Sequence, residues 1–138
     1  MDSNKLYEAL GNEKNEHIIN TNSEEIEIEK NNIINELPLS EDDYIVFYEK
    51  LKDFKYCASS DHIIPGGIII WIPLHNEDKK LVLKQGRVAK TYETQDDVNI
   101  LYFVGGRLFT IKFSEVIIFQ KITEQEKTIL GVIDIQYL

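Results

Sequence analysis

Two consecutive glycines, Gly105-Gly106, separate Val98-Asn-Ile-Leu-Tyr-Phe-Val104 from Arg107-Leu-Phe-Thr-Ile-Lys-Phe113, two runs rich in aromatic and β-branched residues. Glycine supplies the positive φ that a two-residue primed turn needs, so this stretch predicts a tight β-hairpin. Turn signals at Pro65-Gly66-Gly67, Asn76-Glu77-Asp78 and Gln95-Asp96-Asp97 bound further segments of the same character. They predict strands at Ile68 to Leu74, Leu81 to Tyr92, Val116 to Ile122 and Thr128 to Tyr137. Gly86 interrupts the second of these, where a glycine marks a bulge or strong bend. Thr123-Glu-Gln-Glu126 has the form of a capping box, predicting a short helical turn before the last strand, with Gly131 as a candidate stop.

Charge is distributed unevenly: 13 of the 24 acidic residues and only 4 of the 15 basic ones lie in the first 50 positions. Residues 1–39 also carry eight asparagines and a single aromatic, Tyr7. Such a composition buries little apolar surface, so the segment is expected to be a mostly disordered acidic arm. Within it, Leu6, Tyr7 and Leu10, and further on Ile26, Ile33, Ile34 and Leu37, stand at spacings that allow ordering on a partner; the alternative is a solubilising tail. At Ser40-Glu-Asp-Asp43 the pattern changes to a helix start, with acids in the first turn to match the helix dipole. The same four residues also read as an acidophilic kinase site. Tyr44, Phe47, Tyr48, Leu51 and Phe54 then form an amphipathic stripe.

Several chemistries are left without residues to carry them. The longest uncharged apolar run, Ile68 to Leu74, is far short of the roughly 20 residues that cross a bilayer. The single cysteine, Cys57, cannot form an internal disulfide, and no basic region followed by an apolar run opens the chain, so a reducing intracellular compartment, nuclear or cytosolic, is expected. The three histidines, His17, His62 and His75, form no metal-ligand spacing, and neither metal nor other cofactor is expected. Cys57, Asp61 and His62 lie close in sequence, the raw material of a thiol nucleophile, but catalytic members usually converge from distant segments, and a cysteine ending an amphipathic helix is more often a small buried hydrophobe. No phosphate-cradling glycine loop or hydrolase motif is present, and the chain is not expected to be an enzyme.

Pro65-Gly-Gly-Ile-Ile-Ile-Trp71, Gln85-Gly-Arg-Val-Ala89, Asn99-Ile-Leu-Tyr-Phe-Val-Gly-Gly106 and Phe109-Thr-Ile-Lys-Phe-Ser-Glu-Val116 together resemble the Tudor branch of the SH3-like barrels, over about residues 65–120. That resemblance implies a mainly β fold: a small SH3-like, Tudor-like barrel of five to six strands spanning 40–138 with one packed helix, preceded by the disordered arm of 1–39. It also implies recognition of a methylated lysine or arginine peptide in an aromatic cage. Trp71, Tyr92 and Tyr102 are the candidate walls, and Asp96 or Asp97 the candidate rim. Phe103 is also available, but alternation puts it on the face opposite Tyr102. The family's aromatic after the third strand is replaced here by Gly105 and Gly106, and each of these aromatics reads equally as core. Residues Arg107 to Ile118 are also similar to a passage of pleckstrin-homology-like domains, which end in a long helix, whereas this C-terminus reads as strand. Two further partner readings stand beside the peptide: a protein scaffold using the acidic arm, and a nucleic-acid binder using Lys79, Lys80, Lys84, Arg87 and Lys90.

Overall fold

In a computed structural model of the chain, the structure describes residues 3–75 and 80–136. Six strands form one antiparallel sheet: β1 (Phe54–Tyr56), β2 (Ile68–Pro73), β3 (Lys84–Glu93), β4 (Val98–Val104), β5 (Arg107–Lys112) and β6 (Val116–Lys121), in the spatial order β1-β6-β2-β3-β4-β5. Among the described residues five α-helices accompany it: α1 (Ser3–Gly11), α2 (Glu16–Ile19), α3 (Ser23–Asn35), α4 (Glu41–Lys50) and α5 (Glu124–Ile135). The expected SH3-like, Tudor-like barrel is therefore corrected to an open sheet with helices. β1 and β5 are its two edges and do not pair with each other, and β1 adds a strand that the sequence pattern had not marked.

The hairpin predicted at Gly105-Gly106 is present, both glycines having positive φ (57° and 78°) and Val104 standing opposite Arg107. Gly86 serves close packing: a Cβ there would lie 2.8 Å from Tyr102 Cδ2 and 3.1 Å from the Phe103 carbonyl oxygen. The bulge comes two residues later, where the register shifts between Val88 and Lys90. The turn at Asn76-Glu77-Asp78 lies outside the described residues.

Strand alternation gives the sheet two apolar faces. On the inner face Ile69, Trp71, Val88, Ile100, Tyr102 and Ile118 pack with Cys57 and Ile63 of the segment that links β1 to β2. On the outer face Ile70, Ile72, Phe54 and Phe119 receive Ile34 of α3 with Phe47 and Leu51 at the end of α4. As the capping motif required, Ser40 Oγ accepts from the Asp43 amide at the start of α4. Lys30 of α3 is 1% exposed and binds the other end: its ammonium donates to the carbonyls of Leu51 (2.9 Å) and Lys52 (3.2 Å) and to Glu27 (2.7 Å). A cation there complements the negative end of the α4 dipole.

The N-terminal segment is corrected from a disordered arm to three helices with buried residues. Three of its eight asparagines are structural: Asn12 and Asn22 accept from the amides of Lys14 and Glu25, and buried Asn15 donates to the Ala9 carbonyl. Ala9 and Ile18 pack on Ile129 and Leu130 of α5. The strand expected at Thr128 to Tyr137 is corrected too, since Thr128 through Ile135 belong to α5 and Tyr137 lies outside the described residues. Burial of Ile129, Leu130 and Ile133 on one helical face, against α1 and α2, overrides the β-propensity of this isoleucine-rich stretch. Gly131, the candidate stop, lies inside the helix.

Gly86→Ala is expected to destabilise the fold by roughly 1–3 kcal/mol, because the added methyl meets the Tyr102 ring and the β4 backbone. Gly131→Ala, with nothing within 4 Å of the new Cβ, should instead stabilise by roughly 0.5–1 kcal/mol. Urea unfolding of both variants checks the pair, and equal effects at the two sites would contradict this account of Gly86.

Candidate functional site

In β1, Phe54 and Tyr56 join the outer-face cluster, so alternation turns Lys55 the other way. Its side chain is 4% exposed, and a buried ammonium needs a counter-charge. Glu126, the third residue of α5, supplies it with one carboxylate used twice. Oε1 accepts from the Thr123 amide (2.9 Å) while Thr123 Oγ1 accepts from the Glu126 amide (3.1 Å), completing the capping box. Oε2 pairs with the Lys55 ammonium and lies 3.1 Å from His17 Nε2 of α2. That nitrogen also lies 2.5 Å from Lys55 Nζ. It accepts from the ammonium when bare and donates to Glu126 when protonated, but cannot do both at once.

The His62 ring stacks on His17, with centroids 4.5 Å apart and planes 16° from parallel. His62 belongs to the 3-10 turn Ser60–His62, where Ser59 accepts from the Asp61 amide. Beyond the stacked pair opens a cavity of about 780 Å³. Glu13, Lys14, Glu16 and His17 line it from the N-terminal helices, Asp61 and His62 from the turn, and Tyr92 and Glu93 from β3. Four carboxylates thus face one lysine and two imidazoles. Burial lowers the His62 pKa, and the like-signed neighbours His17 and Lys55 lower it further against Asp61 and Glu126. Burial alone would raise Glu126, but the bonds and charges of His17 and Lys55, with the Thr123 amide, bring its carboxyl down to about 2.

The residues singled out in the sequence are dispersed. Trp71 (2% exposed) and Tyr102 (9%) pack edge to face at 4.5 Å in the inner core, so neither offers an open wall to a cation, and no three-walled cage forms with Tyr92. Tyr92 is 41% exposed, on the cavity. Asp97 accepts from the Val98 amide (2.8 Å) and from the amide and hydroxyl of Ser114, bonds that hold its pKa down and tie the β3–β4 turn to the residues after β5. Asp96 is exposed on that turn, and Phe103 is exposed on β4. Of the basic cluster, Lys84, Arg87 and Lys90 lie on β3 and Lys80 precedes it, while Lys79 is outside the described residues. Arg87 donates to the Gly66 carbonyl (2.7 Å), and the Lys90 ammonium lies 5.9 Å from the Tyr92 ring centroid.

Burial pushes the Cys57 thiol up to about 12, so at neutral pH it is not the thiolate that a Cys57–Asp61–His62 nucleophile would need. Among the described residues no group of three or more His, Cys, Asp or Glu is arranged to hold a metal ion, and no helix is long and apolar enough to cross a membrane. Sequence reasoning missed the Lys55, Glu126, His17 and His62 cluster. Its one local signal was a lysine between two aromatics in Phe54-Lys55-Tyr56.

Both Glu126 and His62 have folded-state pKa values below their unfolded ones, 4.5 and 6.5, so the unfolded chain binds more protons in acid. Stability should fall as pH drops below 6.5 through the titration of His62, then further from 4.5 toward 2 through that of Glu126. Glu126→Gln is expected to lose roughly 3–5 kcal/mol at pH 7, since it leaves the Lys55 ammonium buried without a counter-charge. It should also flatten the lower part of the profile. Lys55→Met with Glu126→Gln should recover most of the loss, as glutamine keeps the cap. Urea unfolding between pH 7 and 3 measures all three, and an unchanged profile in Glu126→Gln would refute this assignment.

No protein-family model, curated protein or solved structure matches this chain.

Proposed function

We propose that the chain is a non-enzymatic binding module that holds a cationic side chain of a partner polypeptide, lysine or arginine, in the cavity beside Tyr92. One observation carries the reading: an exposed tyrosine ring lines a cavity to which Glu13, Glu16, Asp61 and Glu93 contribute carboxylates against one lysine. The ring quadrupole attracts a cation and the carboxylates raise its local concentration. Tyr92 already attracts one ammonium, that of Lys90. Methylation spreads and weakly hydrates the charge, which favours contact with the ring over contact with water, so a methylated side chain is the preferred form. Trp71 and Tyr102 act as core in this reading, and recognition uses one aromatic wall with an acidic surround.

The test is an amide NMR titration of the whole chain with lysine and arginine peptides, methylated and unmodified, beside an acidic control. Shifts should cluster at Asp61, His62, Tyr92 and Glu93 and weaken with added salt. Tyr92→Ala should weaken binding by about 3- to 30-fold without moving the thermal midpoint. Binding that Tyr92→Ala leaves intact, or no binding by any basic peptide, overturns the proposal.

A further inference from the structure

We propose a second, separate interaction surface: the open edge of the sheet at β5 takes an extended segment of a partner polypeptide, acidic at its ends and apolar in its middle, as a seventh strand.

The two edges of the sheet differ. β1 is three residues long and packed against α3, whereas β5 is six residues long and, among the described residues, paired only with β4. In a two-residue hairpin the residues flanking the turn, here Val104 and Arg107, exchange backbone hydrogen bonds, and bonded and non-bonded pairs then alternate. Tyr102 and Phe109 are therefore bonded to each other, and the amides and carbonyls of Leu108, Thr110 and Lys112 point away from β4. They form a ready-made ladder for another strand.

Side chains add a reason for that strand to be apolar in its middle. Phe103, Val104, Leu108 and Phe109 are each more than two-fifths exposed. They flank the hairpin on both faces, Phe103 opposite Leu108 on the outer face and Phe109 stacked at 5.6 Å on Tyr102 on the inner one. Charge sets the ends. Arg107 and Lys112 bracket β5, Arg87 stands opposite Phe103 on the next strand, and neither β4 nor β5 contains an acidic residue. The same bracketing disfavours a second copy of this chain. A second copy pairing through β5 would bring Arg107 and Lys112, and no acidic residue, to an edge that already carries the same two cations. A partner strand with Asp or Glu opposite those two residues, and β-branched or aromatic residues between, satisfies both backbone and side chains.

The experiment titrates the whole chain with an extended peptide carrying glutamates on both sides of a Val-Ile-Tyr centre, its lysine-flanked twin, and a single-stranded oligonucleotide. The glutamate peptide should shift, and protect from exchange, the amides of Leu108, Thr110 and Lys112. Thr110→Pro removes one outward donor without touching a bond to β4, so it should abolish binding while the fold melts as before. Arg107→Glu with Lys112→Glu should weaken the glutamate peptide by about tenfold and transfer the preference to the lysine twin. Tyr92→Ala should leave both unchanged, which separates this surface from the cavity. Three results overturn the inference: no peptide shifting β5, the oligonucleotide taking that edge instead, or concentration-dependent dimerisation mapped to β5.

Discussion

A single carboxylate ties together three separate parts of the chain. Glu126 closes the first turn of α5 with one oxygen and neutralises the buried ammonium of Lys55 in β1 with the other, within reach of His17 in α2. A buried ion pair contributes little net stability against an apolar pair of the same shape, but it tolerates only one geometry. It therefore fixes the rotation of α5 about its own axis. That rotation presents Ile129 and Leu130 to Ala9 and Ile18, sets Gln125 to receive Asn12 and Asn15, and places Asp134 where the Ser23 hydroxyl reaches it at 2.6 Å. The stacked histidines and the cavity beyond them are built on the same junction.

The parts of the fold legible in the sequence were those decided by neighbours in the chain. Two glycines fix a hairpin turn through φ alone, a serine three residues before an acidic amide caps a helix, and turn-bounded runs of β-branched and aromatic residues mark β2 through β6. What was not legible depends on distant surfaces. Ile129 and Leu130 sit in a stretch that reads as strand, and only the presence of Ala9 and Ile18 makes a helix the better burial. The asparagines suggested disorder by number, yet Asn12, Asn15 and Asn22 act one by one as caps and as a buried donor. Whether a curled sheet closes is set by contacts between its first and last strands, which no local pattern encodes.

The site divides in the same way. Tyr92 was recognisable as an aromatic near a turn, but its exposure and the core positions of Trp71 and Tyr102 follow from which face each strand turns inward. Asp97 looked like a free rim carboxylate and is instead bound to Ser114. His17 and His62 carry no mutual signal in sequence, because the stack exists only once α2 and the 3-10 turn are both held near Lys55.

The long reach of these contacts bears on how the molecule is made. Residues of the N-terminal helices bond to residues of α5 across separations of 109 to 113 positions. Synthesis runs from the N-terminus, so α1 and α2 leave the ribosome long before the surface that buries Ala9 and Ile18 exists. Until α5 emerges, the sheet can pair strand by strand while those helices wait undocked, with the surface that buries Ala9 and Ile18 still to come. Their docking is then the closing step of folding, and its slowness follows from the length of chain it must enclose.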